Sequence, residues 1–140
     1  MSYKSKPLPL TFACAATESK LFPSDTGNEI ALCGRSNSGK STLINALANQ
    51  KKLAKTSNTP GRTQSINFFH LTNDEAKKIV DLPGFGYAKA SKQDQNAWAK
   101  LILSYLEKRA ALTDLILIMD MRHPFHCLLY TSDAADDDVR

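Results

Sequence analysis

Membrane-spanning stretches are missing from this chain of 140 residues, since a span needs about eighteen or more consecutive apolar residues. The amino terminus has lysines but no apolar region after them, so no secretion signal is expected. Cysteine is scarce: Cys14, Cys33 and Cys127 are odd in number and lack metal-ligand spacing. That excludes a disulfide framework or a zinc site and suits reduced thiols in a cytosol. His70, His123 and His126 are scattered, and none reads as a metal ligand. Internal repeats and low-complexity tracts are also absent, which leaves one globular domain large enough for a core. The lone tryptophan, Trp98, falls seven residues from Tyr105 in a predicted helix over 94–109. The two share a face, and core packing is the better reading than base stacking.

The chain does contain Gly34-Arg35-Ser36-Asn37-Ser38-Gly39-Lys40-Ser41. This is the G-x-x-x-x-G-K-[ST] pattern of a phosphate-binding loop, flanked by an apolar strand-like run at 29–33 and a helical pattern from Lys40. Glycines let the backbone curl round a phosphate, and successive N–H groups with a helix start form an anion site. Lys40 can reach the β- and γ-phosphates, and the Ser41 hydroxyl can ligate Mg²⁺.

Forty residues after Ser41, a short strand ends in Asp81-Leu82-Pro83-Gly84. An acid there can hold Mg²⁺ through water, and the Gly84 amide can reach a γ-phosphate. Between the two motifs lies a polar loop, 56–64, containing Gly61, Arg62, Thr63 and Gln64 ahead of Ser65. Such loops order around a γ-phosphate; Thr63 is the candidate for a second Mg²⁺ hydroxyl, and Thr59 is the alternative. Where Ras-like enzymes place a water-orienting glutamine after D-x-x-G, this chain has Phe85. Gln64 and Gln93 lie elsewhere, so slow intrinsic turnover is expected, accelerated by an activating partner or a monovalent cation.

The strings Leu-Pro-Leu-Thr-Phe at 8–12, Leu-Phe-Pro-Ser-Asp-Thr-Gly at 21–27 and the phosphate loop begin a series. It continues through Thr-Pro-Gly-Arg-Thr-Gln at 59–64, Asp-Leu-Pro-Gly-Phe-Gly-Tyr at 81–87 and Met-Asp-Met-Arg-His-Pro at 119–124. Together they resemble the EngB family (also called YihA or YsxC) of bacterial GTPases. The resemblance implies a TRAFAC-type G domain that binds GTP and GDP and acts in assembly of the large ribosomal subunit. It also implies a requirement in cell division and septation, a cytoplasmic location, and a monomer whose partners are rRNA and ribosomal proteins. Residues 34–41, 61–65 and 81–84 are the implied nucleotide lining, with Ser41 and Thr63 as direct Mg²⁺ ligands. Lys40, Thr63 and Gly84 are the catalytic candidates. Asn37 resembles an asparagine with which related GTPases ligate K⁺; holding the loop backbone is the plainer role.

Up to His126 the chain carries 17 Lys and Arg against 10 Asp and Glu. A basic body suits an RNA partner, with Lys51, Lys52, Lys55, Lys89, Lys92, Lys108 and Arg109 as candidates; mere solubility is the competing account. Expected strands lie near 11–13 (or an extended lead-in there), at 29–33, 64–71, 76–80 and 114–120, with a turn at 72–75. The order is that of the front half of a doubly wound, mostly parallel P-loop sheet. Continuous apolar character at 115–119 marks a strand of the kind buried on both faces.

No [TN]-K-x-D guanine motif occurs in the chain. Residues 127–136 match a translation of a transposon-library sequencing adapter, TGT-CTC-TTA-TAC-ACA-TCT-GAC-GCT-GCC-GAC. The expected organisation is therefore 1–126 as the amino-terminal portion of a G domain and 127–140 as a non-native tail, with a divergent acidic tail as the competing account. Strand 114–120 would then be an exposed apolar edge, and the chain as written unstable or insoluble. Alternatives to a GTPase are a P-loop ATPase or kinase, or a nucleotide- or RNA-binding fragment without GTPase activity.

Overall fold

The computed structural model describes residues 6–34, 39–54, 65–84 and 91–119. Five strands form one sheet: β1 (Leu10–Ala16), β2 (Asn28–Gly34), β3 (Ile66–Leu71), β4 (Asp74–Asp81) and β5 (Leu112–Ile118). Two helices accompany them, α1 (Lys40–Ala48) and α2 (Lys92–Lys108), with a short 3-10 turn at Ser19–Leu21. The spatial order is β1-β3-β4-β2-β5. β2 pairs in parallel with both β4 and β5, whereas β1–β3 and β3–β4 are antiparallel. The parallel part, where crossover connections run, surrounds the strand that leads into the phosphate loop.

Alternate residues of the central strands face opposite helices, as the two-residue period of a strand requires. Ala31, Phe68 and Val80 pack with Leu101 and Tyr105 of α2. Leu32 and Phe69 pack with Ile44 and Ala48 of α1. The sheet is therefore sandwiched, the expected P-loop α/β arrangement. Tyr105 is fully buried and Trp98 half-buried, in keeping with a core-facing helix side.

Boundaries differ from the sequence reading in ways with simple causes. β4 begins at Asp74, and the turn shrinks to 72–73, because the ladder with β3 pairs Asp74 with Leu71 and tolerates a half-buried Asp74 and an exposed Glu75. β5 begins at Leu112 and, among the described residues, is flanked by β2 alone. The expectation that its apolar run is buried on both faces is not met in this structure. Leu115, Ile116 and Leu117 are 50%, 45% and 38% exposed, since neither helix reaches over them. They form instead the exposed apolar edge that the second expectation described.

A buried ion network closes the far end of the sheet. Glu29, fully buried, accepts hydrogen bonds from Tyr105 Oη at 2.9 Å and from Arg109 Nε at 2.9 Å and Nη2 at 2.7 Å. Lys78 Nζ lies 3.6 Å from the same carboxylate. The Arg109 guanidinium also faces the rings of Phe22 and Phe68 and donates to the Pro23 carbonyl. Arg109 was expected as a surface contact for RNA; its side chain is 5% exposed and committed to Glu29, so it is not one. Asp25 accepts from the amides of Ala110 and Ala111, which hold its carboxyl below the usual range. Gly27 is required here: its φ is +79°, and a Cβ would sit 2.0 Å from the Ala76 carbonyl oxygen.

Candidate phosphate and metal site

The carboxyl ends of β2 and β4 meet the start of α1 at one edge of the sheet, the position where open α/β sheets bind ligands. Register pairs Leu32 with Asp81, and the Leu82 amide extends the contact by donating to the Leu32 carbonyl at 3.1 Å. Gly39 takes a left-handed φ of +99° immediately before α1. Space is open around it, so glycine is needed there for conformation and not for room.

Lys40, in the first turn of α1, is 8% exposed and donates from Nζ to the Gly34 carbonyl at 3.5 Å. Asp81 is 7% exposed, and its Oδ1 is the one buried side-chain oxygen or nitrogen among the described residues without a hydrogen-bond partner. Burial disfavours the charged form and pushes this carboxyl up to about 6, against the pull of the Lys40 ammonium and a hydrogen bond from the Asn67 side chain. An orphaned carboxylate oxygen beside a buried ammonium suits a hard cation or its water together with a phosphate. Mg²⁺ fits these residues. Ser41 lies half-buried one residue beyond Lys40, placed to add a hydroxyl ligand.

Of the sequence-predicted lining, Gly34, Gly39, Lys40, Ser41, Ser65, Asp81, Leu82, Pro83 and Gly84 are described, and the last four are buried. Arg35 to Ser38, Gly61 to Gln64, Thr59 and Phe85 lie outside the described residues, as do 127–140. Gln93 is exposed near the start of α2. Lys51, Lys52, Lys92 and Lys108 are exposed, whereas Lys55 and Lys89 lie outside the described residues. No helix among the described residues is long and apolar enough to cross a membrane.

Two asparagines escaped the sequence reading. Asn45 of α1 is buried and holds Ala54 by both polar groups of its backbone, accepting from its N–H at 2.6 Å and donating to its carbonyl at 2.9 Å. Asn67 of β3 stands opposite Asp81 in the ladder and accepts from Ser65 Oγ at 3.0 Å. Neither belongs to a motif; register and tertiary contact alone bring them into place.

A mixed sheet that feeds such a loop from β2 and sets a buried acid on the neighbouring parallel strand is the G-domain type of P-loop fold. The family model described as "50S ribosome-binding GTPase" matches residues 29–135. The chain belongs to that family. It is 50% identical over 113 residues to the "Probable GTP-binding protein EngB" of Escherichia coli K12 and to that of Shigella boydii. The aligned part is 81% of this chain and 53% of each relative, so the chain spans about half the length of these proteins. Among solved structures, the G domain of the Thermotoga maritima (T. maritima) FeoB iron transporter is 30% identical, with a TM-score of 0.45, covering 76% of this chain and 63% of that one.

Proposed function

We propose that the protein binds GTP and GDP and hydrolyses GTP with Mg²⁺, and that it serves large-ribosomal-subunit assembly in the bacterial cytoplasm. A requirement in cell division and septation accompanies that role. The observation that most supports the nucleotide part is that a buried lysine, Lys40, and a buried carboxylate with an unpartnered oxygen, Asp81, converge where β2, β4 and α1 meet. In this reading Lys40 carries the β- and γ-phosphates while the amides of 34–39 cradle them. Ser41 and Thr63 ligate the cation directly, and Asp81 does so through water. The Gly84 amide donates to the γ-phosphate, and Gly61 to Ser65 complete the lining with Arg35, Ser36, Ser38, Arg62, Gln64, Leu82 and Pro83. A cation held by these residues would neutralise charge that builds between the β- and γ-phosphates. The ribosomal role draws on the family description, on kinship with EngB proteins and on the exposed lysines.

Because no [TN]-K-x-D motif occurs in these 140 residues, guanine selectivity is proposed for the whole protein. The chain by itself supplies phosphate and metal chemistry, which favours a second reading of the isolated 1–126 portion as a nucleotide-binding fragment with poor base discrimination. Residues 127–140 are read as foreign to it.

The direct test is nucleotide binding by the full-length protein. Lys40→Ala is expected to weaken GTP about a hundredfold, the scale of a lost charge-assisted contact. Unchanged affinity would rule the site out. Turnover is expected to rise when K⁺ replaces Na⁺ and to lose that response in Asn37→Ala. A rate indifferent to the cation, or a response that survives in the variant, removes K⁺ from the scheme.

A further inference from the structure

We infer that Asn67 is a positioning residue that orients the Asp81 carboxylate toward the cation. The inference rests on the Mg²⁺-GTP reading above. Asn67 and Asp81 are direct partners in the antiparallel β3–β4 ladder, and side chains so paired lie side by side on one face of a sheet. That face is the α1 side: the neighbours two residues along each strand, Phe69 and Ile79, pack with Ile44 and Ala48 of α1. The phosphate-loop lysine begins the same helix.

A carboxamide on this otherwise apolar wall costs stability unless its polar ends are used. One end is used by Ser65, whose Oγ donates to Asn67 Oδ1 at 3.0 Å. With the carbonyl oxygen committed, the NH₂ end is left for Asp81. The hydrogen bond from Asn67 is one of the influences that favour the charged Asp81. It leaves Oδ1 of Asp81 without a partner, so one carboxylate oxygen is available to a cation or its water. Asn67 thereby joins two members of the proposed lining: Ser65, just ahead of β3, and Asp81, at the end of β4. Groups that hold a metal's carboxylate ligand in this way commonly change metal affinity 10–100-fold when removed.

The test measures GTP affinity of the full-length protein with Mg²⁺ and with EDTA, for the unmutated protein and for Asn67→Ala. Asn67→Leu, which keeps the γ-branched shape and suits the neighbouring Phe69, guards against a folding failure. The expected result is a fall of about tenfold in the Mg²⁺-to-EDTA affinity ratio, with EDTA affinity unchanged. A merely structural role lowers both affinities together and leaves the ratio intact, and that result overturns the inference. An unmutated protein that binds GTP equally with and without Mg²⁺ overturns the metal reading itself, and the inference with it.

Discussion

Asp81 destabilises the fold that carries it. Its carboxyl titrates near 6 when folded against an ordinary value of 3.8, so the folded state holds a proton that the unfolded state has released. Stability contributed at this residue therefore falls as pH rises from about 4 to about 6, by on the order of 3 kcal/mol, and stays low above that range. Asp81→Asn removes the burden: melts of the metal-free protein should show the variant more stable at pH 7, with the difference shrinking toward pH 4. The same variant should lose the Mg²⁺-dependent part of GTP affinity. A variant less stable than the parent at pH 7 would contradict the burial argument. Asp81, Lys40 and Ser41 were legible in the sequence because their signature encodes local backbone chemistry. Asn45 and Asn67 were not, because a buried amide has no spacing rule and its partners are set by tertiary contact and register.

Between elements, the Glu29 network ties β2, β4 and the end of α2 together and fixes the end of the sheet remote from Lys40 and Asp81. Removing one charge leaves the others buried and only partly compensated, so Glu29→Gln and Arg109→Ala should each cost about 3–5 kcal/mol in denaturant unfolding. The double variant should cost well under the sum, and 0.5 M salt should change little, because the pair is shielded from solvent ions. Additive losses would mean that the residues act separately. The sequence showed four of the five strands and both helices of this frame, since apolar runs and helical spacing are local signals, and left β1 open between a strand and an extended lead-in. It misread Arg109 as a surface charge because its partner lies 80 residues away, and a Lys-Arg pair at a helix end has the same composition as a solvated one.

For the whole molecule, the exposed edge at β5 is the liability. Leu115, Ile116, Leu117 and Met119 are all at least 38% exposed, on a strand whose outer edge has no partner strand among the described residues. Unprotected apolar edges pair with other chains. The 140-residue chain should therefore self-associate in sedimentation runs, and Ile116→Lys should reduce that association. A monodisperse monomer at tens of micromolar would show the edge to be covered. The apolar run was legible as a strand, but its exposure depends on which elements flank it, and that is a property of the assembled sheet.

The account's central claim is that Lys40 and Asp81 form a phosphate and metal site for guanine nucleotide. It is tested most directly by titrating the full-length protein with fluorescent GTP in Mg²⁺ and in EDTA, with ATP as competitor. The account predicts binding that Mg²⁺ tightens, that excess ATP does not displace, and that Lys40→Ala weakens about a hundredfold. Equal displacement by ATP, or binding indifferent to both Mg²⁺ and Lys40, would contradict it.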